Sequence, residues 1–210
     1  SLALFNSLGV ATTPSRMIRG PRDAASVRTR FPVAAKIVSP DIAHKTEAGG
    51  IALGIENRTR LAAACRRLLA AARKAHAHAH ITGILVQPME AGLAEVLVGY
   101  RRDPLVGPVV TVGIGGVLAE ISRDTVLAMA PVSIRGARQM IAGVKGLAPL
   151  RGYRNLPRGD LDALARTVVA VSNLALVGGT TVLDAEINPL MVRAEGRGVV
   201  AVDGLVVLDG

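Results

Sequence analysis

A mixed fold of helices and strands, α/β or α+β, is what these 210 residues predict. Three observations lead there. Short runs rich in valine, isoleucine and alanine recur between polar loops, longer segments carry apolar residues at helical spacing, and glycines and prolines punctuate the changeovers. The N-terminus reads as a short helix ending at Gly9. Phe31–Val38 and Ile51–Ile55 read as strands with a glycine loop between them. Asn57 is placed to cap a helix whose Leu61, Cys65, Leu68 and Ala72 fall on one face, and which runs out in Ala75-His-Ala-His-Ala-His80. Ile84–Gln87 and Glu95–Tyr100 are short strands around Pro88-Met-Glu-Ala-Gly92, and Val109–Val112 is a third that runs into Gly113-Ile-Gly-Gly116. Pro131 opens a new section with a helix near Ser133–Val144, followed by the glycine-, proline- and arginine-rich stretch Gly146–Gly159. Asp160 caps a helix with the stripe Leu161, Leu164, Val168, Val171 and Ala175. Two strands, Val182–Val192 and Val199–Val207, close the chain around the turn Ala194-Glu-Gly-Arg-Gly198.

Composition narrows the function classes. The chain is 50% hydrophobic with a mean hydropathy of +0.40, yet no apolar run approaches the roughly 18 residues of a membrane span. The N-terminus has no basic segment or cleavage pattern of a signal peptide. Cys65 is the only cysteine, so neither a disulfide framework nor a thiolate metal site is expected, and a reducing cytoplasm is the default. A net charge of +9 raises the question of nucleic acid. The arginines are spread along the sequence, however, and the aromatics are only Phe5, Phe31, Tyr100 and Tyr153, too few for a stacking platform. The same charge suits a protein that handles polyphosphates.

The densest chemistry lies in Lys36-Ile-Val-Ser-Pro-Asp-Ile-Ala-His-Lys-Thr-Glu-Ala-Gly-Gly50, which holds two of the four lysines and one of the four histidines. A lysine at a strand end followed by paired glycines suits phosphate, because the ammonium is a compact charge and glycine lets backbone N–H groups approach an anion. A surface turn with incidental charges fits the same residues. Gly113–Gly116 lacks dinucleotide-fold spacing and reads as a strand turn, and there is no P-loop motif. His76, His78 and His80 alternate with alanine. They could line a strand face and grip a metal, but an exposed linker is the plainer reading. Asn57-Arg-Thr59 matches a glycosylation acceptor by chance. In Glu186-Ile-Asn-Pro-Leu190 a carboxylate and a carboxamide two residues apart share one strand face, and Asp203 in the partner strand adds a third hard oxygen of the kind magnesium takes. Three exposed polar residues on a solvated sheet face remain the alternative.

Taken together, these segments resemble one family. Phe31-Pro-Val-Ala-Ala-Lys through Gly50, then Ile84-Leu-Val-Gln-Pro-Met89, Arg102-Asp-Pro-Leu-Val-Gly-Pro-Val-Val-Thr-Val-Gly-Ile-Gly-Gly116, Gly152-Tyr-Arg154 and Glu186-Ile-Asn-Pro-Leu190 are similar, in order, to the ATP-grasp domain of ADP-forming acyl-CoA synthetases. The last element is shared with the succinyl-CoA synthetase β-subunit. The resemblance implies an ATP-grasp fold whose two lobes clamp a nucleotide. The inserted lobe would be about 23–86, and the second lobe 1–22 plus 87–210. It implies that Lys36 contacts ATP phosphates with Lys45, Gly49 and Gly50 in the phosphate loop, that Gln87 and Met89 line adenine, and that Glu95 lies toward the ribose or phosphates. It further implies that Asn188 and Asp203 hold Mg2+, and that His44 exchanges a phosphoryl group with ATP/ADP. This chain has Ala128 where the family commonly has arginine, and Glu186 where the synthetases often have aspartate.

The implied function is the nucleotide-binding half of an enzyme making acyl-CoA, ADP and phosphate from a carboxylic acid, CoA and ATP, a ligase that this chain alone does not complete. Its partners would be CoA-binding and ligase domains or an α-subunit, in an oligomeric, non-membrane, cytoplasmic enzyme. The family's CoA-binding and ligase domains are not among these residues, so the expectation is a separate β-subunit or a piece of a longer polypeptide. A regulatory nucleotide-sensing module without turnover and a basic nucleic-acid-associated domain are the two other classes left open.

Overall fold

The computed structural model describes residues 1–42, 49–116, 124–178 and 181–209. It divides into two compact units, Thr13–Met89 and Ser1–Thr12 with Glu90–Gly210. The lobe expected over about 23–86 lies inside the first of these. The residues before it include a three-residue strand, β1 (Arg16–Ile18), too short to show a hydrophobic pattern, which joins the unit by pairing with β4 (Gly83–Pro88).

In the smaller unit β1, β4, β2 (Val33–Val38) and β3 (Ile51–Ile55) make an antiparallel sheet in the order β1-β4-β2-β3. One face carries α2 (Arg58–Ala75), which begins where the Asn57 side chain accepts the Arg60 N–H at 2.9 Å. Leu61, Ala64, Cys65, Leu68 and Ala72 of α2 bury against Val33, Ala35, Ile37, Ile84 and Val86 in one core. Burial pushes the Cys65 thiol up, so it packs as a small protonated apolar group.

The larger unit is built on a sheet in the order β10-β8-β5-β6-β7, from β5 (Ala94–Asp103), β6 (Gly107–Ile114), β7 (Thr125–Met129), β8 (Val182–Val192) and β10 (Gly204–Leu208). β9 (Val199–Ala201) also pairs with β8. Val96, Val98 and Tyr100 of β5 and Ala185, Ile187 and Leu190 of β8 face a core shared with α3 (Ile134–Gly143), α4 (Leu161–Ser172) and Phe5 of α1 (Leu2–Ser7). Both main helices start on side-chain caps, Ser133 accepting from Gly136 and Asp160 from Ala163.

Two features differ from the sequence reading. β7 was not anticipated, because Thr-Val-Leu-Ala-Met has no polar alternation; its pairing with β6 makes it an edge strand with Leu127 and Met129 exposed. The single strand expected over Val199–Val207 is broken at Val202-Asp203 into β9 and β10. The break lies opposite Asn188-Pro189, where Asn188 donates to the Asp203 carbonyl at 3.2 Å and Val202 donates to the Pro189 carbonyl at 3.1 Å. Proline has no N–H to return, so the ladder is interrupted there. None of the described helices is long and apolar enough to cross a membrane.

Candidate functional site

In the larger unit the chemistry gathers on the sheet face turned away from α3 and α4. Val96 pairs with Leu190 but Val98 pairs with Ile187, so Asn188 and Pro189 together stand opposite Leu97, a β-bulge. The extra residue lets Ile187 and Leu190, three apart, both reach the core, and it leaves Asp184, Glu186 and Asn188 along the other face. The Asn188 Oδ1 accepts the Gly116 N–H at 2.9 Å, and its amide end bonds the Glu186 carboxylate. Burial pushes the Glu186 carboxyl up, the Asn188 bond draws it partly down, and Asp184 on the same face raises it further.

Gly115 and Gly116 are held against β5. Gly115 donates to the Glu95 carbonyl at 2.8 Å, and a Cβ on it would lie 2.6 Å from the Val96 backbone. Gly116 has φ +66°, and a Cβ there would collide with the Glu95 carboxylate. Only glycine suits both the close approach and the left-handed backbone. Glu95, Gly116, Asn188 and Glu186 therefore form one linked set, and the Asn188 N–H donates to the Asp203 carbonyl beside it. Gly116 was read from sequence as part of a plain strand turn. Its part in this set depends on a contact 72 residues away and left no local signal.

These residues can be tested for a divalent cation. Among the described residues no group of three or more His, Cys, Asp or Glu side chains is placed to hold a metal. The oxygen set of Glu186, Asn188 and Asp203 nevertheless has the hard donors that suit magnesium, an ion that keeps several waters and needs few protein ligands. Burial raises the Glu186 carboxyl, with Asp184 adding to it, and a cation at this face would favour the ionised form. Asn188 Oδ1 already receives Gly116 and Asp203 Oδ1 receives the Gly204 N–H, and a carboxamide or carboxylate oxygen can accept more than one partner.

In the smaller unit Lys36 and Gln87 lie on the sheet face away from α2 and are 6% and 0% exposed. Ala34 pairs with Gln87 and Lys36 with Leu85, which makes Lys36 and Gln87 diagonal neighbours on that face. Met89 directly follows the same strand and donates its N–H to the Pro32 carbonyl at 2.9 Å. Gly50 accepts the Ile37 N–H at 2.8 Å, and Gly49 adopts φ +62°. His44 and Lys45 fall outside the described residues. His76, His78 and His80 are exposed past the end of α2, the His80 N–H donating to Asp41, and they join no metal-binding group of described residues. Ala128 packs toward the core side of β7, the face opposite Glu186 and Asn188.

A recess of about 330 Å³ in the larger unit, lined by Arg138, Arg151, Arg158, Asp160, Asp162 and Glu195, has its charges matched internally. Arg138 pairs with Asp162 at 3.0 Å, Arg158 with Glu195 at 4.0 Å, and Arg151 donates to the Ala142 carbonyl at 2.6 Å. It is a braced junction between helices, unlike the open oxygen set on β8.

Comparison with known proteins shows the family of the chain. A family model described as an ATP-grasp domain matches residues 1–208. The chain is 34% identical over 201 residues to acetate–CoA ligase [ADP-forming] I of Archaeoglobus fulgidus, covering 95% of this chain and 29% of that protein. It is 33% identical over 202 residues to the β subunit of acetate–CoA ligase [ADP-forming] I of Pyrococcus furiosus, covering 95% of this chain and 86% of the subunit. Among solved structures, an acetyl-coenzyme A synthetase 1 of Candidatus Korarchaeum cryptofilum, in complex with coenzyme A and Ca-AMPCP, aligns with a TM-score of 0.90 at 29% identity, covering 99% of this chain and 90% of that one. The chain thus spans less than a third of the single-chain relative and most of the separate subunit.

Proposed function

The chain belongs to the ATP-grasp domain family and has its fold, and from that premise we propose that it is the nucleotide-handling half of an ADP-forming acyl-CoA synthetase. The observation that carries the reading is the linked set on β8, where a carboxylate, a carboxamide and a glycine N–H are fixed on one open face beside a second carboxylate. In this reading Lys36, Lys45, Gly49 and Gly50 receive the phosphates of ATP, Gln87 and Met89 receive the purine, and Asn188 and Asp203 hold Mg2+. The ion, when bound, neutralises phosphate charge. The residues of the chain position the nucleotide, and positioning with charge stabilisation is most of what phosphoryl transfer requires.

Asn188 acts here by orientation. Its carboxamide ties Glu186 to Gly116. His44 supplies a neutral ring nitrogen that attacks the γ-phosphorus. The bond to the bridging oxygen breaks, ADP leaves, and a phosphohistidine remains. Formation of acyl-CoA then falls to CoA-binding and ligase parts supplied by the same enzyme, either as further domains or as an α-subunit.

Mg·ATP should raise the melting temperature of the chain, since a ligand bound by the native state stabilises it by mass action. Asn188→Ala and Asp203→Ala should remove that shift, and His44→Ala should keep it. With γ-labelled ATP the wild-type chain should acquire label that acid removes and alkali spares, and His44→Ala should not. Label persisting in His44→Ala, or acyl-CoA made by the 210-residue chain unaided, contradicts the assignment.

A further inference from the structure

The net positive charge of this protein belongs to one unit. Between Thr13 and Met89 there are thirteen lysines and arginines against four acidic residues; the remainder of the chain has twelve of each. The net +9 is therefore the charge of the smaller unit alone. Reading along the sequence hides this, because the arginines form no single block; the smaller unit nevertheless carries over half of the bases and only a quarter of the acids.

On α2 the charge is organised. Arg60, Arg67 and Lys74 are seven residues apart and fall on one line, about 10.5 Å between successive members. Arg66 and Arg73 form a second line roughly 100° around the axis. Thr59, Ala63 and Ala70 lie between the lines, and the buried row of Leu61, Cys65, Leu68 and Ala72 is on the opposite side. Arg60 pairs with Glu56, one turn away, but Arg66, Arg67, Arg73 and Lys74 make no ion pair with a described residue and are exposed. Arg66 also borders a recess of about 480 Å³ with Arg19 and Arg22. Its one acid, Asp23, already accepts the Arg19 backbone N–H.

We infer that this two-line cationic face of α2 docks an acidic protein surface belonging to the acyl-handling part of the enzyme. The inference rests on the reading proposed above. Nucleotide is not what these charges answer, because Lys36 and Gln87 lie on the other face of the sheet from α2. A lipid surface would need large apolar side chains beside the cations, and this face offers threonine and alanine while the apolar side of α2 is consumed in its own core. Single-stranded nucleic acid needs stacking side chains, and α2 carries no aromatic residue between its two lines of cations. Guanidinium forks match carboxylates two bonds at a time, and four of the five cations on the two lines are arginine. A protein partner follows from the proposed role, since the chain spans under a third of its single-chain relative.

The test compares Arg66→Glu/Arg67→Glu/Arg73→Glu/Lys74→Glu with a control of equal charge change in the other unit, Arg102→Glu/Arg135→Glu/Lys145→Glu/Arg197→Glu. The probes are poly-L-glutamate, duplex DNA and phosphatidylglycerol vesicles at about 0.15 M salt, where unspecific surface attraction is largely screened. Four lost pairs should weaken polyglutamate binding by about tenfold or more in the α2 variant. The control should lose less than about threefold. Equal losses in both would mean that net charge acts diffusely, and tighter binding of duplex or vesicles than of polyglutamate would put the wrong partner on this face; either result overturns the inference. In the assembled enzyme the α2 variant, and a milder version with glutamine at the same four positions, should release the acyl-handling polypeptide or abolish acyl-CoA formation while keeping the Mg·ATP melting shift. Assembly and acyl-CoA formation untouched by both variants would overturn the docking face. Absence of the melting shift in the wild-type chain would instead strike at the nucleotide reading on its own.

Discussion

In the smaller unit the polar pair on the sheet face away from α2, Lys36 and Gln87, is buried, whereas in the larger unit Asp184, Glu186 and Asn188 stand half-exposed in one row of β8. The larger unit ties its polar groups to one another, with Asn188 to Gly116 and Glu186, Arg138 to Asp162, Arg193 to Glu90 at 2.8 Å, and Asp160 to three backbone N–H groups. The smaller unit leaves most of its cations facing water. Equal numbers of acids and bases let one unit spend its charge internally. An excess of nine bases cannot be spent that way and stays available to something else. The contrast teaches that the chain's basic character is no global property, and that its oxygen-rich site sits in the electrically neutral half.

The strongest way to break this comparison is to damage each core separately. Leu61→Ala and Leu164→Ala each empty a fully buried site and should cost about 2–5 kcal/mol. If each core supports its own unit, hydrogen exchange should quicken mainly in residues 13–89 for Leu61→Ala and mainly in residues 90–209 for Leu164→Ala. Uniform acceleration across the chain in both variants would show one cooperative body instead.

Next in size is Asp160. Burial pushes this carboxyl up, but the N–H groups of Ala163, Gly198 and Gly196, together with Arg166, outweigh it and hold it below the usual range. A carboxylate lowered in the fold adds stability above its unfolded value, and that stability is lost as pH falls through the folded value. Asp160→Ala should cost about 1–2 kcal/mol at neutral pH through the lost helix cap. The gap between variant and wild type in urea titrations should narrow below about pH 4.

Glu186 should show the opposite sign. Its carboxyl is raised in the fold, so its contribution is fully present in acid and is lost as pH rises through the folded value. Glu186→Gln should melt slightly higher than wild type at neutral pH without ligand, with the difference closing on acidification. With Mg·ATP the order should invert, as the site then wants the negative charge. Wild type and variant melting alike at every pH would remove the charge argument for this site.

The smallest expected effect is that of salt. Moving from about 0.05 to 0.5 M should screen the repulsion among the cations of the smaller unit and slow its amide exchange, by under about 1 kcal/mol, with less change in the balanced unit. A larger gain in residues 90–209 would reverse the assignment of charge stress.

By itself the sequence determined the elements whose signals are local. Asn57, Ser133 and Asp160 cap the helices they precede, Leu61, Cys65, Leu68 and Ala72 form the buried row of α2, and Phe31–Val38 contains β2, because caps and apolar periodicity are written within a few neighbouring residues. The family motifs, in their order, also identified the ATP-grasp fold. Only the tertiary structure decided what depends on distant partners. β7 is a strand because β6 lies beside it, and the break between β9 and β10 exists because Pro189 sits opposite. Gly116 joins the oxygen set through Asn188, far along the chain, and the net +9 falls to one unit only once residues 13–89 fold together. Periodicity is a property of neighbours in sequence, whereas register, close approach and charge density are properties of neighbours in space.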